Sequence, residues 1–188
     1  MELLLQNVSK HVSLSHEEQE IFLSYFTEKS LKRKEYLLRE GEICRGTAFV
    51  TKGLLRSYSV DKNGFEHVIQ FAPDGWWIND MYSHNYEKPA RLFIDALEDV
   101  TFLWLQKSDR ENMYKVIPKL ERFFRILAEN SLISYKNRLI NSLSLPAKER
   151  YQSFCAEYPT LIECLPQKQV ASYIGVTPEF LSKMLNAT

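Results

Sequence analysis

The stretch of this chain with the most specific chemistry is Leu165–Leu185, LPQKQVASYIGVTPEFLSKML. It reads as two short helices meeting at a tight turn. Val170, Ala171 and Ile174 form the apolar face of the first helix, and Ala171 is small where the second must approach closely. Gly175 falls where a helix must stop in the left-handed conformation, which glycine adopts without steric penalty. Val176 plugs the angle between the helices. Thr177 is a good N-cap, Pro178 suits the first helical position, and Glu179 favours the positive helix end. Leu181 and Met184, three apart, pack back onto the first helix. The pattern is that of a helix-turn-helix, whose second helix enters the DNA major groove. A plain pair of packed amphipathic helices shares it. Charge does not decide between the two: Lys168 and Lys183 oppose Glu179, so residues 165–188 carry a net +1, less than phosphate binding normally uses.

Other chemistry-bearing residues are scattered. His67 and His84 stand alone, with no His-X-His pair and no paired carboxylates, so metal-dependent catalysis is not expected and no metal or cofactor is indicated. Neither a glycine-rich phosphate loop nor a nucleophile elbow is present, which argues against an enzyme. Cys44, Cys155 and Cys164 are odd in number, widely spaced and in no CxxC pair. They read as ordinary, mostly buried thiols rather than a disulfide, zinc or iron–sulfur framework.

The 188 residues suffice for one larger domain and a small one. A hydrophobic content of 45% and a charged content of 26% are ordinary for a globular protein. The formal net charge of zero gives no global field toward nucleic acid or an anionic membrane. No apolar run is long enough to span a bilayer. The N-terminal MELLLQNVSKHVSL lacks the basic start and cleavage site of a signal peptide, so a cytoplasmic location is expected.

The elements that would position the C-terminal motif follow in order. Ser15-His16-Glu17-Glu18 is a capping box opening a helix on which Ile21, Phe22, Tyr25 and Phe26 face a core. Lys32, Arg33 and Lys34 are a solvated edge. Short apolar runs then alternate with turn signals: Tyr36–Leu38, Ala48–Thr51, Leu54–Val60, Phe65–Phe71, Leu92–Ala96 and Val100–Leu105. Asn63-Gly64 is a strong hairpin signal. Many short strands without intervening helix mean a β-sandwich or jelly roll. Ser108-Asp109-Arg110 can start a short helix, and Pro118 the first turn of a longer one running to about Leu143. Along it Leu120, Phe123/Phe124, Leu127, Asn130/Ser131 and Ser134 form a seam suited to another helix, hence a dimer helix; the alternative is that it lies on its own roll. A helix from Lys148 to Glu157 leads to Tyr158-Pro159 and the C-terminal motif.

This order of parts resembles the superfamily of the cyclic-AMP receptor protein and the fumarate–nitrate regulator (Crp/Fnr), from about Ser15 to Leu185. Leu37-Leu38-Arg39-Glu40-Gly41-Glu42, Val50-Thr51-Lys52-Gly53-Leu54-Leu55-Arg56, Phe71-Ala72-Pro73-Asp74-Gly75 and Ile94-Asp95-Ala96-Leu97-Glu98-Asp99 look like successive strands and turns of its cyclic-nucleotide-binding roll. Gln167–Leu185 looks like its helix-turn-helix. The resemblance implies an α+β fold: a cyclic-nucleotide-binding-type β-roll (jelly roll), a long dimerisation helix and a C-terminal helix-turn-helix domain. The expected division is 1–143, the roll with its dimer helix at about 118–143, and 144–188, the DNA-binding domain. The implied partners are double-stranded DNA, a second copy of the chain, RNA polymerase and an unidentified small-molecule effector, with no membrane.

By the same resemblance, the DNA-binding residues are Gln167, Thr177, Pro178, Glu179, Ser182 and Lys183. Glu179 would accept from cytosine N4 and Lys183 donate to guanine, with Thr177 and Ser182 on phosphates. Pro178 stands where many members place an arginine, and only three residues follow Leu185, so no basic tail adds phosphate contacts. The dimer helix would use Leu120, Phe124, Leu127, Ser131 and Ser134. In the effector pocket the family's Gly-Glu pair reads Gly75-Trp76, without the ribose carboxylate. Its phosphate-binding arginine falls at Ala90, with Arg91 one residue off and so on the opposite face. Loss of a bidentate guanidinium–phosphate pair removes on the order of several kcal/mol, so cyclic AMP is not expected to bind. Trp76 and Trp77 would fill or line the cavity, leaving either a packed roll or an apolar pocket. The expected function is sequence-specific DNA-binding transcription regulation. The alternative is a sensory or protein-interaction module with the same fold and weak or no DNA binding.

Overall fold

The computed structural model describes residues 1–163 and 165–187; Cys164 lies outside the described residues. Two compact units make up the chain, one of Met1–Ser59 with Gln70–Ala128 and the other of Val60–Ile69 with the chain from Glu129 onward.

In the first unit α1 (Glu2–Ser9) precedes α2 (His16–Ser24). The capping box forms: Ser15 Oγ accepts from the Glu18 N–H at 3.2 Å, and a Glu18 carboxylate oxygen accepts from the Ser15 N–H at 2.7 Å. The expected helical run through Phe26 ends early. Phe26 opens strand β1 (Phe26–Leu31) opposite Leu105. Its ring still lies 5.0 Å from that of Phe22, so one core accepts both side chains across a change of backbone period.

The strands that follow are β2 (Tyr36–Leu38), β3 (Gly46–Lys52), β4 (Leu55–Val60), β5 (Glu66–Ala72), β6 (Trp77–Ile78), β7 (Phe93–Ala96) and β8 (Val100–Gln106). They form two four-stranded sheets, β1-β8-β3-β6 and β2-β7-β4-β5. Period-two alternation sorts their side chains. Ala48, Val50, Leu55, Ile94, Ala96 and Phe102 fill the roll interior. Phe49, Leu103 and Leu105 face outward and pack with Leu4, Phe22, Met113, Leu120 and Phe123 in a second core. The helices supplying that cover are α1, α2, α4 (Lys107–Val116) and the start of α5 (Lys119–Ser144). A short helix, α3 (Met81–Tyr86), lies between β6 and β7.

The second unit contains α6 (Ala147–Glu157), α7 (Gln167–Ile174) and α8 (Pro178–Asn186). Its core is aromatic: the Phe154 ring lies 5.3 Å from Tyr158 and 5.1 Å from Tyr173, centroid to centroid. Among the described residues, no helix is long and apolar enough to cross a membrane.

Candidate nucleic-acid interface

Local chemistry builds the turn between α7 and α8 as its residues dictate. Gly175 adopts φ +73°, and the Val176 N–H reaches back to the Ala171 carbonyl at 3.0 Å. Thr177 Oγ1 then accepts from the Phe180 N–H at 3.2 Å, starting α8 with Pro178 in its first turn. A Cβ on Gly175 would meet nothing within 4 Å, so backbone strain alone sets the cost of substitution there. Gly175→Ala is expected to destabilise the full chain by about 1–2 kcal/mol, and Gly175→Asn by less. Chemical denaturation checks the order; equal losses would mean that the turn had relaxed.

Leu181 is fully buried and anchors α8, while Glu179, Phe180 and Lys183 stand in solvent. Pro178 and Thr177 are also exposed, Ser182 is half-buried, and Gln167 is exposed at the start of α7. One face of α8 therefore presents a carboxylate, an ammonium and an aromatic ring. Phe180, 53% exposed, was not singled out by sequence reasoning.

Two side chains fix α7 within its unit. Ser172 Oγ accepts from the Val68 N–H at 2.9 Å and donates to the Glu66 carbonyl at 2.6 Å. The Arg138 guanidinium donates to the carbonyls of Val68, Ile69 and Tyr173 and stacks on the Tyr173 ring at 3.8 Å. Tyr173 in turn donates its hydroxyl to Glu157 at 2.8 Å.

The expected dimer seam divides. Leu120 is fully buried in the chain's own core, with Phe124 and Leu127 packed against it. Leu120 is thus taken up by the chain's own core, whereas Phe124 and Leu127 are only partly buried there. Ser131 is half-buried, and Ser134 donates to Glu157 at 3.0 Å. The uncovered apolar stripe lies further along: Leu132, Ile133, Leu139, Ile140 and Leu143 are 54–80% exposed. Leu132/Leu139 and Ile133/Ile140 are each seven apart, a heptad signal that could have found them.

In the roll, a cavity of about 170 Å³ is lined by Leu37, Leu38, Ile43, Cys44, Ile78, Ile94 and Trp104, with Glu42, Arg45 and Asn79 supplying polar groups. Trp76 packs against the roll interior. Trp77 does not line it. Its ring lies 4.9 Å from Phe49 and 5.4 Å from Phe124, and its indole N–H donates to Asn7. Trp76 packs against the interior cluster and Trp77 against the outer one, so the two tryptophans do not share a pocket. Ala90 is buried, whereas Arg91 is exposed and stacks its guanidinium on the Tyr82 ring at 4.3 Å. Gly75, at φ +83°, turns the chain into β6.

Asp80 is the buried carboxylate of this region, and sequence reasoning passed over it. It accepts from the N–H groups of Ser83 at 2.9 Å and Arg91 at 3.1 Å, while Ser83 Oγ accepts from the Cys44 N–H at 2.9 Å. Burial pushes the Cys44 thiol up. Next to Ser83, His84 is 1% exposed and neither ring nitrogen has a hydrogen-bond partner. Burial, then the Arg110 and Lys107 cations, lower its pKa to about 4. Between the ordinary 6.5 and about 4 the unfolded chain binds a proton that the folded chain does not. Stability therefore falls as pH drops through that window, by up to roughly 3 kcal/mol. His84→Phe should flatten the fall, read by denaturation at pH 7 and pH 4.5; an unchanged pH dependence would assign the acid sensitivity elsewhere.

Two four-stranded sheets, a long helix and two short C-terminal helices joined by a tight turn are the parts of one known fold. Residues 28–116 match the cyclic nucleotide-binding domain family, and the fold is that of the Crp/Fnr regulators. Solved structures agree. FixK2 of Bradyrhizobium japonicum is 19% identical, with 86% of this chain and 83% of that one covered at a TM-score of 0.74. The c-di-GMP-responsive global regulator CLP of Xanthomonas campestris is 11% identical over 92% and 91%, with a TM-score of 0.74. A protein of Eubacterium rectale described as a crp/fnr-family regulator is 14% identical over 93% and 83%, with a TM-score of 0.72. At these identities the likeness establishes the fold. No curated protein matches the chain.

Proposed function

We propose that this chain is a homodimeric, cytoplasmic, sequence-specific DNA-binding transcription regulator, not an enzyme, and that its roll does not take cyclic AMP. The observation that carries the reading is the outward face of α8, where Glu179 and Lys183 stand exposed on a helix anchored by Leu181 and capped by Thr177. Glu179 accepts from cytosine N4 and Lys183 donates to guanine, each worth about 1–3 kcal/mol of discrimination. Phe180 adds an apolar surface suited to a thymine methyl group. The net local charge is low, so a dimer, which doubles the phosphate contacts, is the binding form.

Against cyclic AMP stands the methyl group of buried Ala90 where the family has its arginine.

The test is selection of bound duplexes from a random pool, then fluorescence anisotropy at two salt concentrations. The expected result is an inverted repeat bound in a salt-dependent manner, with Lys183→Ala or Glu179→Ala relaxing preference at particular bases by about tenfold. Weak binding to every sequence, unchanged by either substitution, would sink the reading and leave a sensory or interaction module.

A further inference from the structure

Outside the roll, the end of α1 and the turn after it face the start of α5 across an open groove of about 380 Å³. That volume lies within the range of small-molecule sites, about 300–1,000 Å³, whereas the roll cavity falls below it. Its polar lining is Ser9, Lys10, His11, Ser13, Lys119 and Arg122, with no carboxylate in the wall.

The charge is not background, since the whole chain is neutral. Lys119 is held by Glu18 at 2.8 Å and by the Ser13 carbonyl at 3.3 Å, and this pair lowers the Glu18 pKa. Lys10 and Arg122 make no ion pair among the described residues, and both are exposed. Two uncompensated cations thus share one concave surface with two hydroxyls and an imidazole. The His11 ring lies 6.1 Å from Phe123, which ties that wall to the core. Like charges held together repel, and an anion between them relieves the repulsion. Lysine offers a point charge and arginine a planar fork, the combination that suits a phosphate with its three acceptor oxygens.

Size selects among phosphates. A phosphate group has only five heavy atoms, whereas the groove's volume of about 380 Å³ lies in the range of sites that hold drug-sized ligands, so room is left for an organic body. We propose that the groove binds a small phosphate ester, its phosphate held by Lys10 and Arg122 with the Ser13 hydroxyl alongside. This site is independent of the DNA-binding reading, and it lies against α5, the helix that carries the exposed Leu132–Leu143 stripe.

The test is calorimetric titration of the full chain in about 0.15 M salt, where screening removes weak surface attraction. The probes are glycerol 3-phosphate, AMP, adenosine, inorganic phosphate and sulfate. The expected result is that both esters bind at least tenfold more tightly than sulfate and inorganic phosphate, and that adenosine does not bind. Lys10→Ala with Arg122→Gln should weaken the esters tenfold or more, while Lys29→Ala on β1 leaves them unchanged. Equal, weak binding of every anion would overturn the proposal as unspecific charge. So would ester binding that survives the double substitution, because the phosphate would then sit elsewhere. Circular dichroism confirms that the exposed substitutions leave the fold intact.

Discussion

With the proposed dimer, the Leu139→Asp, Leu143→Asp variant should sediment as a monomer at concentrations where the parent associates, and should lose the proposed DNA binding with it. Both leucines are largely solvent-exposed in the single chain, at 59% and 80%, so the fold does not depend on them. Across a two-fold axis each substitution counts twice. Burying a leucine contributes about 1.5–3 kcal/mol, so four lost side chains remove about 6–12 kcal/mol, a factor of at least about 10⁴ in the dimer constant. Leu120→Ala should behave in the opposite way. That side chain is fully buried in the chain's own core, so its loss should cost about 2–5 kcal/mol of stability and leave the association of the folded protein unchanged. Sedimentation velocity and thermal denaturation on both variants separate the outcomes. A Leu139/Leu143 variant that remains dimeric would place the interface off this stripe.

Asp95→Ala should be the most destabilising single change in the roll. Asp95 and Arg56 are opposite one another on β7 and β4, with side chains only 11% and 6% exposed. Their pairing is bidentate, Nε to Oδ1 at 2.8 Å and Nη2 to Oδ2 at 3.0 Å, and the guanidinium also lies over the Tyr58 ring at 4.1 Å. Removing the carboxylate breaks a buried ion pair, which typically costs about 3–5 kcal/mol and lowers Tm by roughly 10 °C in a chain of this size. Replacing both partners together, Arg56→Leu with Asp95→Leu, should recover most of that loss, because a buried pair is often no more stabilising than apolar residues of similar shape. If the double variant melts as low as Asp95→Ala, the penalty lies in packing rather than in the lost ion pair.

Much of the fold was legible in the residues. The capping box at Ser15–Glu18, the Asn63-Gly64 turn with φ +83° at Gly64, and the Gly175–Thr177–Pro178 junction are local signals. Each acts within a few residues of itself, so the backbone follows them in any context. The run Tyr36–Leu38 was recovered to the residue as β2. Elements held by distant partners were not legible. β1 was missed, its first residue Phe26 read into the preceding helix because Phe22 and Phe26 fit a helical period equally well; only pairing with β8 decides for the strand. β6 is two residues long, too short to show alternation.

The candidate site divides along the same line. Sequence alone determined the turn of the helix-turn-helix and the outward placing of Thr177, Pro178, Glu179 and Lys183, though not of Phe180. Both depend on dihedral preferences and on the 3.6-residue period, which the chain carries in itself. Tertiary structure decided which half of α5 is free, which tryptophan faces the roll, and that Lys10 and Arg122 share a groove. These depend on what covers each surface, and that cover comes from residues tens of positions away in the chain. An apolar period marks a side chain for burial; only the packed fold says against what.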